Sequence, residues 1–146
     1  MKKSTILILV IVFFGSVLVV GVFGMQATLW EAPVYVEEIV PTAVATRSGT
    51  SLEIKRNEED GYYYVRVTYE EDLTILISTR VEPVDSTNKS LKISVTNNND
   101  PENPRAEIGE RGEIIVHRTG IVKVQYRAQD KATAAVMEFW IYVTQQ

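Results

Sequence analysis

The chain has 146 residues, with 15 Lys and Arg against 19 Asp and Glu for a formal charge of −4, one His and no Cys. That length holds one domain of roughly 100–150 residues and little besides. The composition excludes disulfide scaffolds, Cys-ligated zinc or iron–sulfur centres, thiol nucleophiles and a His-rich metal site within one chain. The acidic balance argues against nucleic acid as a partner, because sequence-independent binding needs clustered Lys and Arg to neutralise phosphates.

The first element is apolar. After Met1, Lys2 and Lys3, the run Thr5–Gly24 (TILILVIVFFGSVLVVGVFG) is uncharged, and no charge occurs before Glu31. About 20 helical residues at 1.5 Å each span the roughly 30 Å hydrocarbon core of a bilayer. In lipid such a run must be helical, since every backbone amide needs an internal partner. Residues 1–27 are therefore expected to form a transmembrane signal-anchor, with Trp30 at headgroup level and 28–33 as a short linker. The run is longer than the 7–15 apolar residues of a cleaved signal peptide; Val22-Phe23-Gly24 is the one passable cleavage site, and its use would make the remainder a secreted protein. Lys2 and Lys3 hold the amino terminus in the cytoplasm in either case. The expected localisation is a single-pass cell-membrane protein whose C-terminal portion lies outside, with membrane lipid as the partner of the helix. No Cys is present to carry a lipid, and the run contains no GxxxG helix-pairing pattern.

From Val34 onward the apolar period is two, the signature of strands rather than helices. In chain order the expected strands are Val34–Val40, Ser51–Arg56, Tyr62–Tyr69, Leu73–Val81, Leu91–Thr96, Ala106–Ile108, Glu113–His117, Gly120–Tyr126 and Ala135–Val143. Ser48-Gly49, Asp60-Gly61, Arg111-Gly112 and Thr119-Gly120 mark turns where positive φ is needed. The polar stretches 83–90 (PVDSTNKS) and 97–104 (NNNDPENP) are connectors. About 7–9 short strands with no crossover helices predict an all-β fold, two antiparallel sheets packed as a sandwich.

Residues that could carry chemistry are sparse. His117 ends a strand on the face opposite Ile114 and Val116, with no second His or Cys to complete a site. Asn97–Glu102 is rich in oxygen ligands, yet its spacing matches no calcium loop, and Asn, Asp and Pro make turns for their own reasons. Glu58, Glu59, Asp60 and Glu70, Glu71, Asp72 flank the Tyr62–Tyr69 run, where charges keep hairpins soluble. Asn88-Lys89-Ser90 fits the N-glycosylation acceptor pattern. No catalytic, cofactor-binding or metal-binding set is assigned, and the chain is not expected to be an enzyme. The candidate contact surface is Tyr62, Tyr64 and Arg66 on one strand, with Trp140 and Tyr142 on the last; aromatic rings beside a guanidinium suit recognition of sugar or protein.

The segment Val81-Glu82-Pro83-Val84-Asp85-Ser86-Thr87-Asn88-Lys89, followed by the strand from Leu91, resembles the "v-x-P-x-d-a-t-n-k" stretch of bacterial Ig-like domains of group 2, the modules of intimin- and invasin-like surface proteins. Ala106–Ile108, Gly112–Val116, Gly120–Tyr126 and Ala135–Val143 follow in that family's order, and Gly49-Thr50-Ser51-Leu52 resembles its early "G-x-s-x-L" signal. Two departures stand out: Ile93 replaces the usual tryptophan, and extra sequence lies between Leu52 and Ile77. The resemblance implies an Ig-like β-sandwich over 34–146, used in surface display and adhesion, and transfers no catalytic residues. Held by a handful of linker residues, such a module is expected to meet a nearby envelope protein or wall polymer. The alternative is an accessory or filament subunit whose helix packs on sister helices.

Overall fold

A computed structural model describes residues 3–29, 32–131 and 134–146, with side chains of the first stretch described as far as Val19. Two compact units result, Met1–Pro33 and Val34–Gln146. The first contains α1, Lys3–Leu29, 27 residues long, or about 40 Å at 1.5 Å per residue. Its described side chains are exposed, among them Ile6, Leu9, Phe13, Phe14 and Leu18. Among the described residues no helix is long and apolar enough to cross a membrane. Lys2 and Trp30, on which expectations of orientation and headgroup placement rested, lie outside the described residues.

The second unit is β throughout: β1 (Glu38–Thr46), β2 (Ser51–Leu52), β3 (Lys55–Arg56), β4 (Tyr63–Thr68), β5 (Thr74–Glu82), β6 (Leu91–Val95), β7 (Ala106–Ile108), β8 (Ile114–Val116), β9 (Gly120–Ala128) and β10 (Val136–Thr144). They form two five-stranded sheets, β2-β1-β5-β8-β7 and β3-β4-β10-β9-β6. The sheets share one core, led by Val65, Ile75, Ile114, Val122, Phe139 and Ile141, all fully buried. Burial of each such side chain contributes about 1.5–3 kcal/mol.

The strands arise where period-two patterning put them, with four corrections. The first strand begins at Glu38 and runs to Thr46, not over Val34–Val40. It bulges between Pro41 and Ala43, where Pro41 has no N–H to give the ladder and Thr42 Oγ1 donates to Ser78 O at 3.2 Å. The expected strand Ser51–Arg56 is two: β2 pairs with β1 and β3 with β4, so the chain changes sheets at Glu53-Ile54. This brings the strands among the described residues to ten, beyond the 7–9 expected. Lastly, the sandwich is not wholly antiparallel, because β10 pairs parallel with β4, Phe139 opposite Tyr63 through Thr144 opposite Thr68. The extra sequence after Leu52 supplies that strand, and alternation alone carries no information on which neighbour it joins.

The connector after β5 closes the unit's entry. Ser86 is buried and its Oγ donates to Pro83 O. Thr87 takes the Val34 N–H on Oγ1 at 2.8 Å and returns its own N–H to Val34 O at 2.9 Å. Asp130 accepts the Val36 N–H. These bonds hold the lead-in against the sandwich although Val34–Glu37 is in neither sheet.

Candidate functional site

The two aromatic groups singled out on separate strands become one surface through the parallel β4–β10 pairing. Trp140 lies opposite Tyr64, and Tyr142 opposite Arg66. The inward residues of these strands, Val65, Phe139, Ile141 and Val143, are buried, so Tyr64, Arg66, Trp140 and Tyr142 face outward by alternation. Tyr62 stands just before β4 on the same side and is itself buried.

A local turn places Tyr62. Asn57 Oδ1 accepts the N–H groups of Glu59 and Asp60, and the Asn57 N–H donates to Tyr62 O at 2.8 Å. Gly61, at φ 73°, reverses the chain in a conformation that only glycine adopts cheaply. Asn57 Nδ2 then donates to the Tyr62 hydroxyl at 3.1 Å. So held, the Tyr62 ring stacks on Trp140 at 3.9 Å between centroids and 12° between planes. Lys123, outward on β9 and directly opposite Trp140, sets Nζ 4.1 Å from the indole centroid. Trp140 is thereby covered by a tyrosine and a lysine. Its Nε1 is enclosed with no acceptor among the described residues.

Tyr142 meets Tyr64 edge-on at 5.6 Å and 81°, and the Arg66 guanidinium carbon lies 5.9 Å from the Tyr142 ring centroid. The hydroxyls of Tyr62 and Tyr142 are 3.3 Å apart. That hydrogen bond, then burial and the phenols of Tyr62 and Tyr64, push the Tyr142 pKa up to about 12; Arg66 pulls the other way. In the core, burial alone raises the Tyr126 phenol well above its ordinary range.

The remaining candidates separate. Glu58–Asp60 and Glu70–Asp72 sit in turns at opposite ends of β4; six residues at about 3.3 Å put the clusters roughly 20 Å apart, beyond the 5–9.5 Å of paired glycosidase acids. Two of the three amides of 97–102 are spent on backbone: Asn97 bonds Ile121 O and the Lys123 N–H, and Asn98 bonds Ala106 O and the Arg105 N–H. Among the described residues no group of three His, Asp or Glu is arranged to hold a metal. His117 pairs with Glu107 at 3.2 Å on the other sheet. Asn88 is exposed in its loop, its Oδ1 taking the Ser90 N–H.

Among the described residues, one concave volume of about 320 Å³ is lined by Thr46, Leu52, Arg66 and Tyr69 among others, and two more measure about 250 and 270 Å³; none of these three is lined by Tyr64, Trp140 or Tyr142. The aromatic surface is a sheet face rather than a pocket. Sequence reasoning missed Asn57 and Lys123. Lys123 was legible as an outward residue of its strand, but its seat beside Trp140 depends on strand order. Compared with protein-family models, curated proteins and solved structures, the chain matches none.

Proposed function

We propose that this chain is a membrane-anchored, extracytoplasmic Ig-like module that recognises an envelope partner, protein or wall polymer, through the outer face of β4, β10 and β9. The aromatic cluster of Tyr62, Tyr64, Trp140 and Tyr142 carries the reading. It lies on the outer side of its sheet, with Tyr64, Trp140 and Tyr142 half-buried and Tyr62 buried against Trp140, and partly accessible aromatics beside Arg are the composition of contact surfaces. An Ig-like assignment draws support from strand order: apart from β2 and β3, the sheets read β1-β5-β8-β7 and β4-β10-β9-β6, comparable to the A-B-E-D and G-F-C orders of Ig sandwiches, with β4 added at the edge. Anchoring draws support from an α1 that is apolar all round, a surface that lipid covers at no desolvation cost.

The test is site-specific photo-crosslinking in native membranes, with the reactive side chain at position 64 and, as a control, at position 78 on the outer face of the other sheet. Adducts from 64 and none from 78 are expected; equal adducts, or none, would remove the assignment. Carbonate extraction and protease accessibility examine the anchor, which predicts a membrane-retained chain with an externally digestible β unit. A ladder of high-order species on native electrophoresis would instead move α1 to the filament-subunit role.

A further inference from the structure

Resting on that assignment of the contact face, we infer that its partner is an acidic protein surface, and that Lys92 and Arg127 belong to the site together with Arg66 and Lys123. The chain as a whole is acidic, yet the outward positions of β3, β4, β9, β10 and β6 hold Lys55, Arg66, Lys123, Arg127 and Lys92 against Glu138 alone. Acids gather instead in the turns, Glu58–Asp60 at the rim of this face included. Lys55 is 3.8 Å from Glu53; among the described residues Arg66, Lys92, Lys123 and Arg127 form no ion pair.

Lys92 and Arg127 are direct cross-strand partners, both exposed. Like charges facing one another across a ladder weaken it, so folding gives no reason to keep this pair. Arg127 and Lys123 are four residues apart on β9, about 13 Å. Lys123 and Arg66 are two strand spacings and one pleat step apart, roughly 12 Å. The resulting diagonal of about 25 Å fits the footprint of a standard protein interface, about 800 Å² per partner.

The chemistry selects among anionic partners. A sugar that stacks needs an open ring face, and Trp140 is already flanked by Tyr62 and Lys123. A small anion needs a concavity, and of the three concavities described none is lined by Tyr64, Trp140 or Tyr142; Arg66 borders one at the strand ends, whereas Lys92, Lys123 and Arg127 border none of the three. A flat array of separated cations around tyrosine hydroxyls suits carboxylates spread over a protein surface, which long-range attraction steers into place.

The experiment measures binding of the full chain in neutral detergent to poly-L-glutamate, with dextran sulfate and phosphatidylglycerol vesicles in parallel. Wild type should bind poly-L-glutamate in a salt-dependent way, and the double variant Lys92→Glu/Arg127→Glu should bind at least about tenfold more weakly. Arg80→Glu, the charge change of one such reversal placed on the opposite sheet, should bind as the wild type, whereas single Lys92→Glu, the same change on the contact face, should not. Single Lys92→Glu adds a readout in the opposite sense: it places opposite charges across the ladder, so thermal stability should hold or rise while binding falls. Absent binding, reversal without effect, tighter variant-sensitive binding of dextran sulfate or vesicles, or concentration-dependent self-association that reversal abolishes would each overturn the inference. If position 64 still crosslinks in membranes, only the acidic-protein assignment is lost; if it does not, the contact face itself fails.

Discussion

The two sheets present nearly the same inner face and very different outer ones. Inward, both offer branched aliphatics to one core: Val44, Ile75 and Val116 from the first, Val65, Val122 and Ile141 from the second. Outward, β1 and β5 show Val40, Ala43, Ala45, Leu76, Ser78 and Arg80, with an Arg80–Glu82 pair at 2.6 Å. The outer face of β4, β10 and β9 shows stacked rings and, in Arg66, Lys123 and Arg127, cations that form no ion pair among the described residues. Closing a sandwich constrains only the inner faces, so the difference measures what folding leaves free.

The largest effect should come from the shared face. Phe139→Ala removes a fully buried ring and should cost about 3–5 kcal/mol in denaturant unfolding, with loss of order in both sheets. A small local effect would break the view that one core serves both. Trp140→Ala, one residue along and on the other face, should cost less, about 1–2 kcal/mol from the lost stack and partial burial, while abolishing crosslinking from position 64. Comparable stability losses at 139 and 140 would mean the outer rings are structural.

Tyr62→Phe sharpens the comparison through a titration. Without the Tyr62 hydroxyl, the Tyr142 pKa should drop from about 12 toward the ordinary value near 10, read as phenolate absorbance. In the wild type the folded form holds this proton more tightly than the unfolded one. Its contribution is therefore fully present below pH 10 and is lost as pH rises from about 10 to 12, a decline that Tyr62→Phe should shrink. The smallest effect belongs to the first sheet's surface: Glu107→Gln breaks an exposed pair with His117 and should change stability by about 0–1 kcal/mol. A larger loss would show that this outer face too is more than a solvated surface.

Much of the β unit is legible from alternation. Phe139, Ile141 and Val143 are as buried as their spacing says, and Tyr64, Arg66, Trp140 and Tyr142 as outward. The division of Ser51–Arg56 between sheets is not legible, because six residues of mixed polarity read alike whether they stay on one edge or cross to another. Tyr62 illustrates a second limit. Its spacing marks the outward side, yet it is buried, because the Asn57 turn lays it against Trp140.

The sequence by itself determined the apolar helix, the β character of everything after Val34 and the side of each strand that enters the core, since these follow from the spacing of side chains along one backbone. Tertiary structure alone decided that β4 runs beside β10, and with it that rings about eighty residues apart share a stack, a hydroxyl pair and a lysine. Strand neighbours are chosen by hydrogen bonds between backbones, which every residue but proline donates alike, so no local pattern of side chains records the choice.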